Sequence, residues 1–258
     1  MGEDFEVNVT LDRDHVAIVE FRRGDYNFFS VSLIESLADH LEELGDDGST
    51  RCVVLCSGGK HFCAGADFSD GPATSFTSPS GQHLYESSLR LFRQPLPVIA
   101  AVQGAAIGGG LGLALACDFR IATTSSRFTA PFARLGLHHG FGLTVTLPQV
   151  VGQQRATDLL YTARSLGGDE AMRIGLCDRV CEPERLRREA LALATSIAAN
   201  APIAVRSIRQ TMRSDLAAEV ERAMERERSE QDLHRRTADF AEGILADGER
   251  RRPEFVGQ

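Results

Sequence analysis

The chain lacks most of the signals that would declare a function at once. It has one lysine, Lys60, and the rest of its positive charge is arginine. Its formal charge is −8 at pH 7, so it offers no basic excess to a polyanion, and nonspecific nucleic-acid binding is excluded. Its six cysteines form no Cys-x-x-Cys pair. Cys52 with Cys56, and Cys177 with Cys181, have no histidine at a metal-ligand spacing. Reduced, buried thiols in a cytoplasmic protein and no metal are the expectation. No Gly-x-Ser-x-Gly elbow occurs. Gly59-Lys60 runs into His61 without the upstream glycine of a P-loop, and Leu113 falls where a dinucleotide fingerprint needs its third glycine. The segment Met1 to Phe5, acidic through Glu3 and Asp4, has no apolar segment behind it, unlike a secretory signal, and Glu6 breaks the myristoylation pattern. The one long apolar run, Leu96 to Cys117, could span a bilayer by length. Gln103 and a cluster of glycines divide it into strand, turn and helix, so a buried core is expected and no membrane partner.

That divided run is also the most informative stretch. Pro97 to Val102 reads as a buried strand, and Leu111 to Cys117 as a buried helix. Between them stand Gly108, Gly109 and Gly110. Glycines at a strand-to-helix turn expose backbone N–H groups where the helix dipole favours negative charge. No side chain blocks a ligand's approach. A second apolar strand, Arg51 to Cys56, ends in another small-residue loop, Ser57 to Phe68. Two such loops can aim two N–H groups at one oxygen, which is the specification of an oxyanion-binding site.

The remaining pattern is α/β. Glu6–Leu11 and His15–Phe21 alternate as two half-buried strands of a hairpin, through Val7, Val9, Leu11, Val16, Ile18 and Phe21. Val31–Leu44 is amphipathic, with Ser30 as its N-cap. Asp70–Gly81 is rich in Ser, Thr, Pro and Gly and reads as an irregular, mobile loop. Helix is expected over Gln82–Arg93. Strands are expected over Phe119–Ala122, Arg127–Ala130 and Asp178–Cys181, with helices at Leu143–Val151, Gln154–Ala163 and Asp169–Ile174 between the last two. From Pro183 onward only helices are read, at Glu184–Asn200, Pro202–Arg213, Leu216–Arg235 and Thr237–Asp247, with charges alternating in sign.

FCAGADF, followed by PVIAAVQGAAIGGGLGLALACDFRIA, closely resembles the enoyl-CoA hydratase/isomerase (crotonase) superfamily. RFTAPFARLGL, VGQQRATDLLYTARSLGGDEAMRIGLCDRV and AEGILADGERRRPEFVG continue the resemblance in order over nearly the whole chain. It implies an α/β spiral of ββα units over residues 1–200 and a C-terminal helical oligomerisation region over 201–258, packing subunits into a homotrimer or a dimer of trimers. It implies an acyl-CoA thioester as substrate, with coenzyme A carried in by that substrate and no further cofactor. Matched residue by residue, the oxyanion donors are the N–H groups of Ala66 and Gly109. Ala64, Ala66, Asp67 and Phe68 fall on the segment lining the adenine and pantetheine path.

The acid–base groups depart from the pattern. Two glutamates hold and activate water in the family's hydratases. The first position is Gly112 here and the second is Phe132. Acid–base catalysis typically supplies roughly 10²–10⁴ in rate, which neither residue can provide. Ordinary hydration is therefore not the expectation. His139, in the pair His138-His139, is the favoured substitute. His83, Tyr85 and Glu86, on the helix that roofs the acyl pocket, are further candidates. His61 and Asp118 read as structural. Two function classes stay open: an isomerase, decarboxylase, hydrolase or hydratase with substitute groups, and a noncatalytic acyl-CoA binder. Pocket-lining Phe132 suggests an apolar, bulky or aromatic acyl group. Lys60, just ahead of the Ala64–Asp67 loop, is placed to meet a phosphate.

Overall fold

The structure is a computed structural model, and it describes residues 5–12, 14–68, 76–77 and 82–258. A six-stranded sheet forms the frame, in the order β1-β2-β3-β4-β6-β9. β1 (Glu6–Leu11) pairs antiparallel with β2 (Val16–Arg22). β3 (Cys52–Ser57), β4 (Val98–Val102), β6 (Phe119–Thr123) and β9 (Arg179–Cys181) continue in parallel. The period of two sorts each strand's side chains between the faces. Cys52, Val54 and Cys56 of β3 join Ile99, Ala101 and Ile121 under α7 (Leu186–Ala198). That helix meets them with Leu186, Ala190, Ala194 and Ala198, four residues apart along one stripe. Val53 and Leu55 face the other way, into the main core with Leu33, Ile34, Leu37 and Leu41 of α1 (Val31–Asp46). Ser30 caps α1, its hydroxyl accepting from Leu33 N–H at 3.2 Å.

A small second sheet, β5-β7-β8, stands beside the first. It joins β5 (Ala105–Ile107), β7 (Arg127–Thr129) and β8 (Ser165–Gly167). β5 and β8 lie in segments expected as turn or connection. Three residues carry too little pattern to read as strand, and their partners define them.

The hairpin expectation holds with one correction. β1 was expected to be half-buried, but it is the sheet's edge and most of its side chains face solvent. Only Val7 packs on the core, while Val9 and Leu11 are exposed. The Asp70–Gly81 loop lies outside the described residues except for Phe76 and Thr77.

The remaining helices are α2 (Leu84–Arg93), α3 (Gly109–Ala116), α4 (Leu143–Val151), α5 (Gln153–Thr162), α6 (Gly168–Arg173), α8 (Pro202–Met212), α9 (Leu216–His234) and α10 (Ala238–Gly248). α8 buries no residue of its own and exposes Ile203, Ile208 and Met212. α9 and α10 behave differently. Val220 and Met224 of α9 belong to the main core, and Phe240 and Ile244 of α10 pack on Leu135 and Leu137. Among the described residues no single helix is long and apolar enough to cross a membrane.

Candidate active site

Two loops are bound edge to edge at the end of the parallel strands. Cys63 N–H donates to Ala105 O at 3.0 Å, and Ile107 N–H donates to Cys63 O at 3.0 Å. His61 brackets the pair, its Nδ1 accepting from Ala105 N–H at 3.1 Å. Asn27, fully buried at φ +48°, locks the outer side. It donates to Gly58 O at 2.6 Å and to His61 O at 2.7 Å. Sequence reasoning missed Asn27, although asparagine's tolerance of positive φ was a usable signal.

This lacing brings Ala66 and Gly109 to one place. Gly65, at φ +90°, lies so close to the start of α3 that a Cβ there would stand 2.7 Å from Ile107 O and 3.9 Å from Gly109 N. Gly108, at φ +55°, turns the chain into α3, its own N–H spent on Thr129 O at 2.8 Å. Gly109 is the first helical residue, where an N–H has no intrahelical acceptor. Neither the Ala66 nor the Gly109 N–H takes a backbone partner among the described residues. Both residues line a cavity of about 380 Å³, and Ala64, Asp67 and Phe68 line it too.

Aromatic rings surround the glycine turn. A Cβ on Gly109 would collide with the Phe29 ring, 2.6 Å from its Cζ. A Cβ on Gly112 would stand 2.6 Å from Phe141 Cβ and 2.7 Å from its Cδ1. A Cβ on Gly108 would reach Phe132 Cζ at 3.6 Å. Position 112 is therefore filled by a neighbour's ring, and position 132 presents its own.

The candidate acid–base groups divide by place. His139 is not among the residues lining the cavity. Its Nε2 lies 2.8 Å from the hydroxyl of exposed Thr144, and its ring stacks on His138 at 4.2 Å. Burial, then the neighbouring His138, pushes its pKa down to about 4, so it is neutral at pH 7. His83 and Tyr85 do line the cavity. His83 caps α2, its Nδ1 accepting from Tyr85 N–H at 3.1 Å, so the ring proton sits on Nε2. Burial lowers its pKa to about 4. Tyr85 donates its hydroxyl to Gln231 Oε1 at 3.0 Å, and burial raises its pKa, so it stays a phenol. Glu86 sits on the surface, 3.8 Å from Arg228. Asp118 is structural. It accepts from Val98 N–H at 2.8 Å and pairs with Arg209 at 3.0 Å and Arg213 at 2.9 Å. Lys60 is exposed. Among the described residues no group of three or more His, Cys, Asp or Glu could hold a metal.

The structure adds two residues that the sequence reading did not single out, Glu227 and Gln231, one turn apart on α9. Glu227 is fully buried. It accepts from Gly142 N–H at 2.9 Å, Thr144 N–H at 3.0 Å and the Thr144 hydroxyl at 2.6 Å. Gln231 donates to His138 O at 2.9 Å. The two side chains hold both ends of the loop that carries Phe141 against Gly112.

The family model for enoyl-CoA hydratase/isomerase matches residues 12–258. Crotonyl-CoA hydratase of Syntrophomonas wolfei is 33% identical over 258 residues, 97% of this chain and 98% of that protein. The 1,2-epoxyphenylacetyl-CoA isomerase of Escherichia coli is 34% identical over 239 residues, 90% of this chain and 91% of that protein. The crystal structure of an enoyl-CoA hydratase/isomerase from Pseudoalteromonas atlantica superposes with a TM-score of 0.89 at 34% identity, covering 97% of this chain and 99% of that one. The architecture is thus the α/β crotonase fold, as the resemblance implied. The chain belongs to the enoyl-CoA hydratase/isomerase family.

Proposed function

We propose that the chain processes an acyl-CoA thioester whose carbonyl oxygen sits at the N–H groups of Ala66 and Gly109. The supporting observation is the approach of the Gly65 loop to the start of α3, with both N–H groups left for a ligand at one cavity. Two fixed donors stabilise the negative charge that a thioester oxygen gains when its α-carbon becomes enolate-like, and they need no reorganisation as the charge develops. Coenzyme A would enter as part of the substrate, past Ala64, Asp67 and Phe68, with no other cofactor.

The reaction in this reading is not hydration on paired carboxylates. Rings occupy both glutamate positions, and a ring cannot hold or deprotonate water. What remains is enolate chemistry of the isomerase, decarboxylase or hydrolase type. A second reading, a noncatalytic acyl-CoA binder, is favoured by one observation: the proposed base His139 stands outside the cavity lining. In either case we read the exposed apolar face of α8 as a subunit contact of a homotrimer or a dimer of trimers, in a cytoplasmic protein.

An acyl-CoA analogue with an enolate-like oxygen separates the two readings. If the chain is an enzyme, it is expected to bind this analogue at least about tenfold tighter than the saturated acyl-CoA, because such interactions strengthen on the way to the transition state. Equal binding of the two, with no turnover over an acyl-CoA panel, favours the binder.

A further inference from the structure

The acyl end of the cavity is walled by rings placed at the glycine turn itself. Phe29 lies on Gly109, Phe141 on Gly112, and Phe132 beside Gly108. Phe29 and Phe141 have centroids 6.0 Å apart at 51°, and Phe29 and Phe76 are 6.4 Å apart at 42°. These spacings and tilts fall in the range that aromatic pairs prefer. From this we propose that the chain selects coenzyme A thioesters whose acyl group carries an aromatic ring close to the thioester, of the phenylacetyl type. The proposal rests on the thioester reading above and adds the class of acyl group.

Placement carries the argument. A thioester oxygen at Gly109 N–H fixes the carbonyl carbon beside that turn. The next acyl atoms must then enter among Phe29, Phe132 and Phe141. A flexible alkyl chain there gains only burial, and loses rotamer freedom in gaining it. A planar ring gains the same burial plus edge and face contacts with the wall. The wall is also fixed in position. Phe141 is fully buried at φ +61° and jammed on Gly112, and the next N–H, that of Gly142, is tied to the Glu227 carboxylate. It cannot swing aside to admit a long chain. A fixed aromatic slot therefore discriminates by shape near the thioester, not by chain length further out.

Phenylacetyl-CoA, cyclohexylacetyl-CoA and octanoyl-CoA have the same number of acyl carbons and similar apolar area, so they separate ring character from burial. Their dissociation constants for the full chain, measured by calorimetry beside free coenzyme A, test the proposal. Phenylacetyl-CoA is expected to bind at least about fivefold tighter than either of the others, the size of one good aromatic pair. Phe132→Leu, an apolar change at a half-buried position, is expected to bring that ratio to about one. Equal or weaker binding of phenylacetyl-CoA overturns the proposal, as does a preference that survives both Phe132→Leu and Phe141→Leu. Should free coenzyme A bind and no thioester improve on it, the acyl cavity is not the acyl site and the proposal falls alone. Should none of the four bind, the thioester reading falls with it.

Discussion

Phe141 packs directly on Gly112, with its Cβ 2.6 Å from the point where a Cβ on residue 112 would sit. The absent carboxylate and the ring are therefore one feature. A glutamate at 112 has no room while Phe141 holds its place.

Gly112→Glu alone is accordingly expected to destabilise the chain by at least about 1–3 kcal/mol through overpacking, without yielding hydratase activity. Gly112→Glu combined with Phe141→Gly, which removes the Cβ as well as the ring and suits the φ of +61°, is expected to recover part of that loss. Urea denaturation of the single and double variants measures it. Additive penalties in the double variant would show that the two positions do not share one space.

Glu227 makes a pH-dependent contribution whose sign is fixed by burial. Desolvation holds its pKa above the ordinary 4.5, against hydrogen bonds from Thr144 and Gly142 that pull it down. A carboxyl group raised in the folded state contributes fully below its unfolded pKa, and the contribution is lost as pH rises through the folded value. Glu227→Gln is expected to cost about 1–3 kcal/mol near pH 4.5, since an amide nitrogen must face a backbone N–H. That margin is expected to narrow as pH rises toward neutrality. Denaturant midpoints of both proteins across this range test it, and a margin that widens with pH contradicts the assignment.

Much of this was legible in the sequence. The glycine turns, the parallel strands and the Ser30 cap follow from local pattern, because each depends on residues adjacent in the chain. Glu227 and Gln231 were not legible. They sit in a helix crowded with Glu and Arg, where the pattern reads as a solvated face, and only packing of α9 against α2 and α4 buries them. Phe141 was missed for a related reason. It stands at φ +61° between two glycines, in the loop that Glu227 and Gln231 clamp, and that clamp is made by residues far along the chain. His139 looked chemical by type, and its placement is decided by Thr144, five residues on.

His139→Ala is therefore expected to change the turnover of any identified acyl-CoA substrate by less than about threefold. A loss in the range of roughly 10²–10⁴, as for a general base, would return His139 to the catalytic machinery. Steady-state rates at pH 7 decide this.

The most direct test of the account is hydrogen exchange at the α-carbon of a bound acyl-CoA in heavy water, followed by mass spectrometry for the wild type and for Ala66→Pro, which deletes one N–H. The account predicts that the two N–H groups stabilise the enolate formed when solvent base takes the α-proton, giving exchange above the buffer rate in the wild type and a drop of about 10²–10³ in the variant while coenzyme A still binds. Exchange no faster than buffer, or an Ala66→Pro protein that exchanges at the wild-type rate, would contradict it.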